Sequence, residues 1–151
     1  MYKPRVYAAS RLKYYKLWQT LRTDPLWDFV EFTATWIDKA ELELDSQPTP
    51  EIFSEVWMEN IADIKRSDFV LAYAGGDLAI RNALVEVGVA LGNGINVVAV
   101  GLDLDQYTWG YHPAVRRMAS LAEARQHLYK YVTMVPPASR KRKEAEDGTN
   151  P

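Results

Sequence analysis

The stretch SDFVLAYAGGDLAIRNALVEVGVALGNGINVVAVG, residues 67–101, carries the clearest signature of the architecture. DFVLAYA (68–74) is a nearly continuous apolar run of strand length, as expected where a parallel strand is covered on both faces. GGD (75–77) precedes a helix predicted over 79–92, GNG (92–94) ends it, and INVVAV (95–100) has the composition of another buried strand. This order predicts a strand–helix–strand unit of a parallel sheet.

The same alternation continues on both sides of this unit. The other predicted elements are a strand at 5–9, a helix at 10–22, a strand at 27–34, a loop at 35–50, a helix beginning at Pro50 and a helix at 122–132. Together they predict an α/β fold, a three-layer flavodoxin-like or Rossmann-like domain over residues 1–135 with a mostly parallel sheet of about five strands. Residues 136–151 have no apolar period, and we predict a disordered tail.

Composition excludes several classes of function. The formal net charge of -2 argues against binding of nucleic acid through its phosphates. The absence of cysteine excludes disulfides, thiolate metal sites and cysteine nucleophiles, and two histidines are too few for a histidine-rich metal centre. We therefore expect neither a metal nor a cofactor. The N-terminus lacks the apolar segment of a signal peptide and no long apolar run follows, so we predict a cytoplasmic protein without a membrane span.

Glu86 is the unusual residue of the central stretch, because its helix is apolar nearly all round. Such a helix is either central or covered by another subunit, which predicts a homo-oligomer, a dimer or a tetramer. In open α/β sheets, ligands bind beyond the carboxyl ends of the strands, and Glu86 lies about two turns into the helix that follows one. Two interpretations stay open at this point: a carboxylate facing a ligand pocket, or a carboxylate paired at the helix rim, for instance with Arg81.

The stretch 67–101 closely resembles the core of the nucleoside 2-deoxyribosyltransferase family, which includes hydrolases that cleave the N-glycosidic bond of deoxynucleotides. The family pattern is an aspartate, an apolar strand, a loop, Glu-x-Gly-x-Ala-Leu and then a Gly-x-x-Val strand. The matching residues are Asp68, Glu86, Gly88, Ala90, Leu91, Gly94 and Val97. VYAAS (6–10) is similar to the family's first strand, and WGYHPAVRRM (109–118) resembles the segment that completes a neighbouring subunit's site.

The resemblance implies that Glu86 is the nucleophile that traps the deoxyribosyl C1′ as the bond to the base breaks. It implies that Tyr7 orients the Glu86 carboxylate, although core packing alone would also explain a tyrosine there. Trp36 would stack on the base, or it closes the core. The other candidate contacts to the substrate are Ser10, Arg11, Asn60, Asp68, Asp77 and Asn82.

Three polar positions of the transferases are altered. Ile80 stands where they carry an aspartate six residues before the nucleophile, Asn60 replaces the aspartate that handles the base, and Ala114 replaces an asparagine. Asp63 and Asp77 lie nearby and are the candidates to take over the acid–base role, and for Asp63 a solvated carboxylate is an equal interpretation.

The prediction is therefore cleavage or transfer at the N-glycosidic bond of a 2′-deoxynucleoside or deoxynucleotide, through a covalent intermediate on Glu86. The expected partner is a small-molecule nucleoside or nucleotide. The alternative is a nucleotide-binding or interaction module that keeps the fold and has lost catalysis.

Overall fold

The computed structural model describes residues 2–45, 47–77 and 79–134, without the side chains of 42, 44 and 45. The strands are β1 (Arg5–Ser10), β2 (Glu31–Phe32), β3 (Phe69–Tyr73), β4 (Asn96–Val100) and β5 (Val115–Met118). The helices are α1 (Tyr15–Thr23), α2 (Trp36–Asp45), α3 (Pro50–Lys65), α4 (Asn82–Gly92) and α5 (Leu121–Met134). The tail predicted at 136–151 lies outside the described residues.

All five strands are parallel, in the order β2-β1-β3-β4-β5. The predicted parallel sheet of about five strands in an α/β fold is thereby confirmed. The inner strands β1, β3 and β4 are almost entirely buried, because helices cover both of their faces.

Alternation along β1 and β3 assigns the helices to the two faces. On one face, Phe69 contacts Tyr131 of α5, and Tyr73 contacts Trp18 of α1. On the other face, the Tyr7 side chain reaches Glu86 of α4. A hydrogen bond from Asn60 to Glu86 joins α3 to α4 on that same face. The result is a three-layer domain, as predicted.

Two predicted elements differ from the structure. The strand at 27–34 is reduced to Glu31–Phe32, because Asp24 caps a 3-10 turn over Pro25–Trp27. The loop at 35–50 instead contains α2.

The start of α2 is fixed by Asp63 of α3. One oxygen of this buried carboxylate accepts hydrogen bonds from both the backbone N–H (2.9 Å) and the hydroxyl (2.8 Å) of Thr35, the residue that precedes α2. Arg66 donates to the other oxygen at 3.1 and 3.2 Å. A polar segment whose sequence predicts a loop is thus anchored as a helix by a carboxylate distant in sequence.

Candidate functional site

A cavity of about 480 Å³ lies beyond the carboxyl ends of β1 and β3, where the parallel-sheet rule places ligands. Its walls come from the end of β1 and the turn after it, from α2 and α3, and from the start of α4. The lining residues are Ser10, Arg11, Leu12, Lys13, Trp36, Glu43, Phe53, Val56, Trp57, Asn60, Ile80, Arg81, Asn82 and Glu86.

Glu86 lies on the wall of this cavity with only 6% of its surface exposed. Its Oε1 accepts a hydrogen bond from the Tyr7 hydroxyl at 2.8 Å and another from the Asn60 amide nitrogen at 3.2 Å. Both donors are uncharged, so the structure favours the pocket interpretation over an ion pair at the helix rim.

The electrostatics of Glu86 follow from this burial. Burial raises the pKa of Glu86 to about 8, although the hydrogen bond from Tyr7 acts in the opposite direction. Burial, followed by the charge of Glu86 and the hydrogen bond to it, also raises the pKa of Tyr7, so the phenol stays a donor. The pair therefore holds one carboxyl group in a fixed orientation in a poorly solvated place.

Tyr7 has both roles that the sequence left open. Its ring is fully buried in the core beneath α4, and its hydroxyl reaches the cavity residue Glu86. Trp36 likewise combines both interpretations. It is 6% exposed and its indole N–H donates to the Ala8 carbonyl at 2.9 Å, while its side chain lines the cavity. Strand β2 pairs with β1 only at Arg5 and Val6, so the Ala8 carbonyl has no partner in β2 and accepts the hydrogen bond from the indole instead.

The cavity also has a basic side formed by Arg11, Lys13 and Arg81. Asp77 lies just outside the lining and holds two of these cations, with Lys13 at 2.9 Å and Arg11 at 3.3 Å. Tyr14 donates to the second Asp77 oxygen at 2.8 Å. A side chain at Gly75, whose φ is +60°, would collide with the Tyr14 ring, so glycine is required for this arrangement.

Arg81 directly precedes α4 with φ 49° and ψ -119°, a conformation that costs a non-glycine residue about 1–3 kcal/mol. Helix α4 therefore begins at Asn82, three residues later than the predicted start at 79. Ile80, Arg81 and Asn82 all line the cavity. Ile80 gives it an apolar surface at the position where the transferases carry an aspartate.

The structure brings together seven predicted site residues. Six line the cavity, namely Ser10, Arg11, Trp36, Asn60, Asn82 and Glu86, and Tyr7 joins them through its hydrogen bond to Glu86. Three predicted carboxylates lie elsewhere. Asp63 anchors Thr35 and Arg66, and Asp77 orients the basic side chains from behind. Asp68 lies at the opposite end of β3, where it accepts from the Arg5 backbone N–H at 2.8 Å and from the Tyr2 hydroxyl. Asp63, Asp68 and Asp77, for which the sequence predicts direct roles at the substrate, are thus absent from the lining of this cavity.

Sequence reasoning missed Glu43, Lys13, Phe53 and Trp57 as lining residues. The helical spacing of Trp36, Ile37, Ala40 and Leu44 is the signal that would have shown α2, and with it Glu43. Ala114 does not line the cavity: its backbone N–H donates to Nδ1 of His112 at 3.0 Å in an exposed turn. Within the described ranges, no group of three or more acidic or histidine side chains could hold a metal ion. In the same ranges, no helix is both long and apolar enough to cross a membrane.

Comparison with known proteins adds a structural neighbour. The CMP N-glycosidase BcmB from Clostridium botulinum is similar in structure, with a TM-score of 0.53 and 17% sequence identity over 84% of this chain and 98% of that one. No protein-family model and no curated protein matches the sequence. At this identity the likeness shows the shared fold.

The buried carboxyl of Glu86 predicts a specific pH dependence of stability. Its folded-state pKa of about 8 exceeds the ordinary value of 4.5, so folded Glu86 keeps a proton that the unfolded chain has released. The contribution of Glu86 to the free energy of unfolding is fully present below pH 4.5 and is lost as the pH rises through 8. Between pH 5 and 9, the free energy of unfolding of wild type should fall by a few kcal/mol relative to Glu86→Gln, because one extra bound proton is worth about 1.4 kcal/mol for each pH unit.

Urea unfolding of both proteins at pH 5, 7 and 9 measures this difference. Glu55→Gln, on the exposed side of α3, is the matched control and should follow wild type at every pH. A constant difference between wild type and Glu86→Gln would contradict the raised pKa.

Proposed function

We propose that the protein cleaves the N-glycosidic bond of a nucleoside 5′-monophosphate, with Glu86 as the nucleophile and deoxyribose as the expected sugar. The observation that carries this proposal is the Glu86 carboxyl, buried on the cavity wall and oriented by Tyr7 and Asn60. The resemblance to the deoxyribosyltransferase family and the fold shared with an N-glycosidase support it.

The reaction begins with ionised Glu86. Because Tyr7 and Asn60 both donate to Oε1, Oε2 is the oxygen available to attack C1′ of the sugar. As the C1′–O bond forms and the C1′–N bond breaks, the electron pair of the old bond leaves with the base nitrogen, which takes up a proton from the solvent. Water then attacks C1′ and releases a proton to the solvent, while the C1′–Oε2 bond breaks and its electron pair returns to the carboxylate, which frees the sugar phosphate. If an acceptor base attacks instead of water, the result is transfer.

The polarity of the cavity supports a nucleotide as substrate. The walls at the end of β1 and at the start of α4 carry the basic side chains, which are Arg11, Lys13 and Arg81. Trp36, Phe53 and Trp57 form the aromatic surface of the α2 and α3 walls. A phosphate suits the first group and a base suits the second, while the sugar between them meets Glu86.

The first test is base release from deoxynucleotides, ribonucleotides and the corresponding nucleosides, followed by chromatography with and without a free acceptor base. Glu86→Gln should lower kcat by ~10³-fold or more, and Tyr7→Phe by about 10- to 100-fold. Intact-protein mass spectrometry of a quenched reaction should show one sugar phosphate on the protein. In wild type, kcat/KM should rise with pH toward a plateau above about 8, as Glu86 loses its proton.

Unchanged turnover in Glu86→Gln would refute the nucleophile assignment. Binding of nucleotides without base release in wild type would favour the alternative, a binding module. That alternative rests on the three altered positions Ile80, Asn60 and Ala114, of which Ile80 and Asn60 line the cavity.

The basic side of the cavity generates a second prediction. Arg81 lines the cavity and forms no ion pair with the side chains that the structure describes, so Arg81→Ala should lose most of the preference for a 5′-monophosphate over its nucleoside. We expect about a 10-fold rise in KM for the nucleotide and little change for the nucleoside. Arg125→Ala on α5 is the control. A variant that retains the full preference would argue against a phosphate at Arg81.

We also propose that the chain forms a homo-oligomer through the outward sides of α3 and α4. Five large apolar side chains on these helices are between 43% and 68% exposed. They are Ile52, Phe53 and Met58 of α3 and Leu84 and Val85 of α4. Single exposed apolar side chains are ordinary, but five on two helices that pack together form a surface suited to a second copy. Phe53 belongs both to this surface and to the cavity wall, so a partner there would help to enclose the ligand.

Light scattering at micromolar concentration should show a dimer or a tetramer, and Met58→Glu should shift it toward the monomer. Leu26→Glu is the matched control, since Leu26 is 60% exposed in the turn before β2. A wild-type protein that is monomeric under these conditions would refute the interface.

A further inference from the structure

Two buried oxygen atoms in the cavity residues have no hydrogen-bond partner within the described part of the chain. They are Oδ1 of Asn60 on α3 and Oε1 of Glu43 on α2. Buried polar atoms in proteins are almost always hydrogen-bonded, so each of these oxygens needs a donor that the described residues do not supply. Both residues lie on the helices that carry the aromatic walls.

The orientation of the Asn60 amide follows from its neighbour. Its nitrogen donates to Glu86 Oε1 at 3.2 Å, and that oxygen also accepts from Tyr7. The opposite orientation would direct an amide oxygen at the Glu86 oxygen. Asn60 is only 7% exposed, so its Oδ1 is a fixed acceptor in a built site.

Glu43 adds a carboxyl group to the same side of the cavity. Burial raises the pKa of Glu43, Lys39 opposes this shift and Glu59 adds to it. This direction is expected of a carboxylate that lacks a nearby donor. A ligand N–H at Oε1 would therefore stabilise the ionised form and satisfy the buried oxygen together.

We propose that Asn60 and Glu43 read the base and select nucleobases that present an exocyclic amino group, such as cytosine or adenine, over their oxo counterparts. The Asn60 oxygen and the ionised carboxylate of Glu43 offer only acceptors to this edge of the base. An amino group supplies the N–H donors that they need, whereas a carbonyl oxygen at the same position would face their lone pairs. Trp36 and Trp57 also line the cavity and are the aromatic side chains of these two helices on which a base would stack.

This inference rests on the proposed function, since it takes the ligand to be a nucleotide. Two matched pairs of probes test it: 2′-deoxycytidine against 2′-deoxyuridine 5′-monophosphate, and 2′-deoxyadenosine against 2′-deoxyinosine 5′-monophosphate. Binding is measured by calorimetry at pH 8 on Glu86→Gln, where cleavage is blocked, and base release is measured in parallel on wild type. The amino member of at least one pair should bind about 10-fold or more tightly than its oxo partner.

Variants of Glu43 assign the preference to this side chain. Glu43→Met, of similar size but without an acceptor, should reduce the preference to about 3-fold or less. Glu43→Gln retains one carbonyl acceptor and should keep part of the preference for the amino base. Glu41→Gln, on the exposed side of the same helix, should leave binding and preference unchanged. Circular dichroism and thermal melting check that each variant folds. The comparison of probes on Glu86→Gln does not depend on the Glu43 variants.

The outcomes separate this inference from the proposed function. Base release with equal binding of amino and oxo members overturns the selection by Asn60 and Glu43 and leaves the glycosidase proposal intact. A clear amino preference without base release overturns the glycosidase proposal and leaves the selection intact. If none of the four nucleotides binds, both are overturned.

Discussion

The hydrogen bond between Tyr7 and Glu86 organises the whole site. It joins a fully buried residue of the first strand to the second turn of a helix that begins 75 positions later in the chain. The carboxyl group it holds is largely removed from water, so the rest of the site must supply fixed dipoles in place of solvent. Asn60 provides the second of these dipoles, and the raised pKa of Glu86 reflects how incompletely two neutral donors replace hydration.

Several carboxylates that resemble catalytic groups in the sequence serve instead to build this environment. Asp63 anchors the residue before α2 and thereby positions Trp36 and Glu43 on the cavity wall. Asp77 holds two of the cations on the basic side of the cavity, and Asp68 ties Tyr2 and the first residue of β1, Arg5, to the start of β3. Each is neutralised by donors from within the protein, whereas Glu86 and Glu43 line the cavity with much weaker compensation. The number and charge of the protein donors that each carboxylate receives therefore distinguish the structural acids from the candidate functional ones better than residue type does.

The arrangement places chemically different walls around one carboxyl group. Basic side chains follow β1 and precede α4, while aromatic side chains come from α2 and α3. The loop from β3 ends in the strained Arg81, directly before α4, and it brings this cation and the apolar Ile80 to the same cavity. Cationic and aromatic side chains therefore line one cavity together with the Glu86 carboxyl.

The parallel α/β architecture, the central strand–helix–strand unit and the position of Glu86 in it could all be predicted from the sequence. They follow from apolar runs and helical periods, which are local properties of the chain. The helix at residues 36–45 could not be predicted in the same way, since its anchor on Asp63 is a contact between distant segments. Nor could the sequence show which acids are paired. The folded chain was needed to see that Asp63, Asp68 and Asp77 are held by partners, whereas Asn60 and Glu43 each keep a buried oxygen without a donor among the described residues. The physical reason is that the role of a polar group is set by the neighbours that chain crossovers bring to it.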